Sequence, residues 1–359
     1  MPPTSPHRVK MLPERRLPVV AGILAAVLVL EGVLRIFATA GPPPVPHAGL
    51  DSFDAPVVVS RQIDEGIASA RFSRAGARLT GNAPIPDAPV TVFLGDSYVV
   101  AREVADDQTM GSLVERLTRL ERFDINVRQY GWRGASAGQY LQAAQEVMQR
   151  WNPDQVVIVL SEDDLGADAL NRNFPRLAIG ANDQVSLVHS VGENGKDVYT
   201  PSASVLGELF RARWQRVLSR SPAAAKRLGG ARPELRGPVP DPASIAAVPR
   251  ATVKALGRTF GPSLVIIYVA DVRVNSGDKN EIGETELLRT CAEIGVRCAS
   301  TRVAMVAARS RGVIARGFSS TTLGVGHLNP AGHQLVADQI WKLLRPESTV
   351  GATAQIAER

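Results

Sequence analysis

Gly95-Asp96-Ser97 closes a run of β-branched and apolar residues, Thr91-Val92-Phe93-Leu94. A buried parallel strand that ends this way brings a serine hydroxyl to the carboxyl edge of a sheet, where α/β proteins place their chemistry. Gly95 is expected to supply a tight turn at positive φ. Asp96 is expected to accept from the N–H groups that open the next segment. A serine is a poor nucleophile until a base takes its proton, and neutral imidazole suits that task near pH 7. Of the five histidines, His7 and His47 precede the domain and His189 falls in an insertion. His327 stands in Gly326-His327-Leu328-Asn329-Pro330, where Asn329 is a good N-cap and Pro330 suits the first helical position. From that loop it is expected to point back across the sheet edge at Ser97. His333, inside the helix, reads as structural.

Short apolar runs alternate with helical patterns, which predicts a parallel sheet covered on both faces. Candidate strands are 90–94, 125–130, 155–160, 264–270 and 296–299, and candidate helices 109–121, 137–150, 284–293, 302–309 and 330–344. Residues 86–348 form one domain, with an insertion at about 165–260 and a tail at 349–359. The insertion predicts a short hairpin, 177–180 with 184–188, and a helix over 205–219 with a basic polar side. That helix reads as packed on the core, or as a lid or an element facing anionic headgroups or glycans. Cys291 and Cys298 flank a helix end and a strand start. Two separate buried thiols are the favoured reading, a short-range disulfide the other. No Cys/His cluster has zinc spacing, so neither metal nor cofactor is expected.

Over roughly residues 88–345 the chain resembles the SGNH/GDSL hydrolase family. The first family block matches Gly95-Asp96-Ser97 and the second resembles Gln129-Tyr130-Gly131-Trp132-Arg133-Gly134. The last matches at His327. The resemblance implies a flavodoxin-like three-layer α/β/α sandwich with a parallel five-stranded sheet. It implies Ser97 as nucleophile, His327 as general base, and the N–H groups of Ser97 and Gly134 as oxyanion donors. Two positions depart from the pattern. Asp163 replaces the family's oxyanion-hole Asn, and an ionised carboxylate cannot donate. Gly324 stands where the family places the acid that orients the histidine. Asp163, Asp164 and Asp271 are the candidates to replace that acid in space.

Residues 1–16 carry Arg8, Lys10, Arg15 and Arg16 against one Glu14. Residues 17–38 are almost wholly apolar and about 33 Å long as a helix, enough for a bilayer core of about 30 Å. The expectation is a signal-anchor with a cytoplasmic tail and everything later outside. Cleavage after Ala38-Thr39-Ala40, giving a secreted form, is the alternative. Residues 39–85 read as a Pro-rich linker and entry segment. The net charge of +6 suits an anionic envelope surface, and no nucleic-acid motif is present. The expected activity is an extracytoplasmic serine esterase on acyl, foremost O-acetyl, esters of an envelope glycan or lipid. The alternatives are an O-acyltransferase beside a membrane acyltransferase partner, or a catalytically degenerate binding protein.

Overall fold

The computed structural model describes residues 17–37, 57–62, 65–66, 68–73, 76–132, 134–165, 176–180, 185–188, 242–272 and 282–345. The expected insertion helix at 205–219 and its basic segment, both tails, and the possible cleavage site lie outside them.

The sheet is built from strands β3 (Val90–Gly95), β4 (Asn126–Gly131), β5 (Gln155–Ser161), β8 (Leu264–Val269) and β9 (Arg297–Ser300), in the order β4-β3-β5-β8-β9. Every pairing is parallel. This is the flavodoxin-like order, which reverses direction at β3. Side chains on successive strand positions point to opposite faces, so a sheet covered twice needs unbroken apolar runs. Val92, Leu94, Val156, Ile158, Leu160, Ile266 and Tyr268 face one core. That core is filled by α4 (Ala137–Trp151), α6 (Pro242–Phe260) and α7 (Ile282–Ile294). Phe93, Val157, Val159, Val265 and Ile267 face the other. There they meet α3 (Met110–Leu120), α8 (Arg302–Ser310) and α9 (Pro330–Leu344). The expected three-layer sandwich is therefore observed, with strand and helix bounds shifted by a residue or two at most elements; α6, which fell inside the expected insertion at about 165–260, is instead a helix of the core, with Val253, Leu256 and Phe260 buried against the sheet.

Cys291 on α7 and Cys298 on β9 form a disulfide with Cα atoms 6.1 Å apart. The favoured reading of two separate thiols is thereby corrected: Gly295, at φ +72, ends the helix and turns the chain straight back into β9. The small hairpin of the insertion is present as β6 (Arg176–Ile179) and β7 (Val185–Val188), paired antiparallel.

Helix α1 runs over Leu17–Phe37. Side chains are described for its residues 18–33, and among the described residues no helix is long and apolar enough to cross a membrane.

The segment read as linker and entry contains a second hairpin, β1 (Val57–Gln62) and β2 (Ala68–Ser73), paired antiparallel. It joins the sandwich through Arg78, which bridges Phe72 of β2 and Gln129 of β4. The Arg78 side chain is fully buried and forms a short ion pair with Asp106. Its guanidinium also donates to the carbonyls of Val104 at 3.0 Å and Leu79 at 3.2 Å. A sequence-distant hairpin is thereby fixed on the edge of the sheet next to β4, with its turn at Glu65-Gly66.

Candidate active site

Ser97 is the first residue of a one-turn helix, α2 (Ser97–Val100), that follows β3 directly. Asp96 caps it, its Oδ1 accepting from the Tyr98 N–H at 2.9 Å. Gly95 is required for a reason other than the expected one, because it is not among the positive-φ glycines. A Cβ there would stand 2.4 Å from a methyl of Val99, so a side chain would push α2 off the strand. The serine thus sits at the point where the sheet order reverses, the usual ligand crevice of such sheets.

Gly134 lies in the turn after β4, at φ +67 and half-buried. The Trp132 N–H donates to the Gly95 carbonyl at 3.0 Å, which ties that turn to the strand end carrying Ser97. Asp163 belongs to α5 (Glu162–Leu165), directly after β5, and its side chain lies outside the described residues.

His327 sits on the loop before α9, as its Asn-Pro cap predicts, with Asn329 Oδ1 accepting from the Gly332 N–H at 3.1 Å. Its Nδ1 is 2.6 Å from Oε2 of Glu65. The other carboxylate oxygen, Oε1, accepts from the His327 backbone N–H at 2.8 Å. Two contacts to one carboxylate fix both the ring and the backbone carrying it. With Nδ1–H donating to Glu65, the free lone pair falls on Nε2, the atom a general base uses. The Tyr98 ring meets the imidazole edge-on at 6.2 Å between centroids, and Glu103 Oε1 is 3.7 Å from Nδ1. Burial disfavours the imidazolium, but the Glu65 hydrogen bond and the charges of Glu103, Glu65 and Asp96 outweigh it, and the His327 pKa is raised.

The acid behind the histidine is therefore Glu65, at the tip of the β1–β2 hairpin, and neither Asp164 nor Asp271. Asp164 is fully committed elsewhere. Its Oδ2 accepts from the Ser161 N–H at 2.7 Å and lies 3.1 Å from the Ser161 hydroxyl, while Oδ1 accepts from Tyr140 at 3.2 Å. The Ser161 hydroxyl in turn reaches Asp96 Oδ2 at 3.2 Å. Burial, then the Asp96 charge, push the Asp164 pKa well up. A protonated Asp164 can donate to Ser161, which leaves the single serine proton for Asp96. This network braces the turn that carries Ser97 from below. Asp271 faces Arg316, its Oδ1 3.9 Å from Nε. His333 is buried, with its pKa pulled down to about 3 by burial and by the Arg78 and His327 charges, which fits the structural role expected of it.

Three site residues were not anticipated: Glu65, Glu103 and Arg316. Arg316 is buried on the histidine loop. It donates to the Tyr98 hydroxyl in a short contact, to the Gly326 carbonyl at 3.3 Å and to the Ala270 carbonyl at 3.0 Å. It thereby pins the loop to both α2 and the end of β8. A hairpin signal did exist for Glu65. Residues 57–62 and 68–73 are short strand-like runs separated by five residues that include Gly66, a hairpin spacing. The donor atoms of Glu65, Glu103 and His327 lie within 4.8 Å of one another, near enough for a cation, but Nδ1 is already engaged by Glu65.

Gly326 makes the close approach of Glu65 possible. It sits at φ +95, and a Cβ there would lie 2.3 Å from Glu65 Oε1. Gly326→Ala is expected to displace the carboxylate, lowering kcat/KM by about 10²-fold, the order of loss that a misplaced catalytic group brings. Global stability should fall by no more than about 1–3 kcal/mol. Steady-state kinetics beside urea unfolding checks this, and an unaltered kcat/KM would count against the Glu65 contact.

No protein-family model matches the chain, and no curated protein matches it. Several solved structures are similar to it. LAE5, an alpha/beta hydrolase enzyme from the metagenome of Lake Arreo, Spain, is 12% identical with a TM-score of 0.41, over 74% of this chain and 95% of that one. Axe2, an acetylxylan esterase from Geobacillus stearothermophilus, is 12% identical with a TM-score of 0.38, over 73% of this chain and 96% of that one. AlinE4, an SGNH-hydrolase family esterase, is 11% identical with a TM-score of 0.33, over 63% of this chain and 82% of that one.

Proposed function

We propose that this chain is a serine esterase of the SGNH/GDSL type, anchored by its N-terminal helix and working outside the cytoplasm on acyl esters, foremost O-acetyl esters, of an envelope glycan or lipid. The observation that carries the chemistry is the 2.6 Å contact between Glu65 and His327 Nδ1, in an imidazole whose edge-on neighbour is Tyr98, the residue after Ser97. It supplies the orienting acid that the sequence lacks at its usual place.

In this reading His327 Nε2 takes the Ser97 proton as Oγ attacks the ester carbonyl. Negative charge develops on the carbonyl oxygen and is met by the N–H groups of Ser97 and Gly134. Glu65 holds the imidazolium that forms. The imidazolium then gives its proton to the leaving alcohol, and water, activated by the same imidazole, resolves the acyl-serine. The intradomain disulfide suits an oxidising compartment, which supports the outside location. The apolar sequence of α1 and the basic residues before it support the anchor and its orientation.

Covalent labelling of the full-length chain with a fluorophosphonate tests the reading. Labelling of the wild type that disappears in both Ser97→Ala and His327→Ala is the expected result. A folded wild type that resists the probe would sink it.

A further inference from the structure

We propose that Glu103 is a second positioning residue for the histidine, and that Glu65 and Glu103 together hold the positive charge His327 acquires when it takes the serine proton. This rests on the reading of His327 as the general base. Two carboxylates converge on one ring nitrogen: Glu65 Oε2 at 2.6 Å and Glu103 Oε1 at 3.7 Å. They come from two separate segments of the chain. Glu65 tips the β1–β2 hairpin, and Glu103 follows α2, six positions after Ser97. The Glu103 side chain is only 7% exposed, so its interaction with the ring is poorly screened by water.

The two arms are packed against each other. Gly66 sits at φ +76, and a Cβ there would stand 2.4 Å from the Glu103 carbonyl. The Gly66 N–H donates to Ser320 Oγ at 3.3 Å, which adds the histidine loop to the same contact. Burying two carboxylates beside one another is costly unless a cation lies between them. Burial, assisted by the Glu65 charge, raises the Glu103 pKa, while His327 works against the rise. The mutual repulsion is relieved when the ring becomes positive, at the step where the serine proton moves. The arrangement therefore favours the transition state over the resting state, which is the condition for a gain in rate.

The other groups around the ring do not replace this charge. Asp96 lies on the strand-end side and contributes the weakest of the charges that favour the imidazolium. Tyr98 presents a ring edge, and its hydroxyl accepts from Arg316. Burial pushes the Tyr98 pKa up to about 12, so it is neutral in the working range. Arg316 and His333 bring no negative charge.

The test is a titration of His327 in the full-length chain with ¹³C-labelled histidine, its signal assigned among the five by its loss in His327→Ala. A nearby negative charge favours the protonated ring. Its removal in Glu103→Gln should lower the His327 midpoint by about one pH unit, within the range that adjacent charges produce. The acid limb of kcat/KM should move down with it, while the plateau falls by about 3–10-fold as the base weakens. A residue with a purely structural role would leave the midpoint in place, and a midpoint that stays or rises overturns the proposal. Should Glu103→Gln not fold, Glu103→Asp withdraws the charge by one methylene, and an unchanged midpoint there overturns it equally. A midpoint that falls as expected in a chain the fluorophosphonate does not label would sink the esterase reading and leave the carboxylate pair standing.

Discussion

Glu65→Gln should lower kcat/KM for a simple acetyl ester by about 10²–10⁴-fold while leaving the fold intact. The upper end of that range is what loss of the orienting carboxylate costs a serine triad. Two effects act together. The amide can present its N–H to Nδ1, which favours the tautomer with the proton on Nε2, the nitrogen that must be free to accept from Ser97. It also removes the negative charge against which the imidazolium forms. The amide oxygen still accepts from the His327 backbone N–H, as Glu65 Oε1 does at 2.8 Å, so the loop keeps that anchor and the loss falls on the ring. Hydrolysis of p-nitrophenyl acetate, followed across pH beside far-UV circular dichroism, checks the effect. A kcat/KM within threefold of wild type would show that Glu65 does not orient the base. Glu65→Asp keeps the charge one methylene short and should recover part of the loss.

The largest effect on stability should come from a residue outside the site. Asp106→Ala leaves the fully buried Arg78 guanidinium without its carboxylate and also frees Arg71, whose backbone N–H donates to Asp106 Oδ1 at 3.0 Å. Stranding one member of a buried ion pair costs about 3–5 kcal/mol, far more than a surface pair is worth. Burial already lowers the Arg78 pKa against the pull of Asp106, a sign of how heavily its charge is desolvated. Urea unfolding measures the change, and a loss under about 1 kcal/mol would mean that the carbonyls around Arg78 suffice without Asp106. Arg78 also joins the β1–β2 hairpin to β4, so the variant should lose hydrolysis at urea concentrations where the sandwich is still folded.

Much of the architecture was legible because its signals are local. Val92-Phe93-Leu94 and Val156–Leu160 are apolar without a break, as a sheet covered on both faces demands. Asn329-Pro330 announces a helix start and so places His327 on a loop. Gly-Asp-Ser placed Ser97 correctly, although Gly95 serves the close packing of Val99 and not a left-handed backbone. What local pattern could not give is the pairing of residues 262 apart, Glu65 with His327. The family's place for the acid holds Gly324, and the candidates that sequence offers instead are Asp163, Asp164 and Asp271. The acid arrives from a segment whose Gly- and Pro-rich approach made it read as a tether. Glu103 was hidden for a related reason. Nothing in the order of residues tells that a carboxylate six positions past the nucleophile turns back toward the base. The disulfide depended on a tight αL turn at Gly295 that brings helix end and strand start together, which spacing alone leaves undecided.

The closure of the site by its first hairpin and its last loop bears on when the serine becomes dangerous. During synthesis Ser97 and Glu103 leave the ribosome long before His327, so the nucleophile spends most of translation without a base. The last helix must dock before the imidazole has a fixed place, and the first hairpin must already be waiting for it. In the proposed reading, a chain whose α9 is undocked or whose β1–β2 hairpin is frayed holds Ser97 without an oriented base.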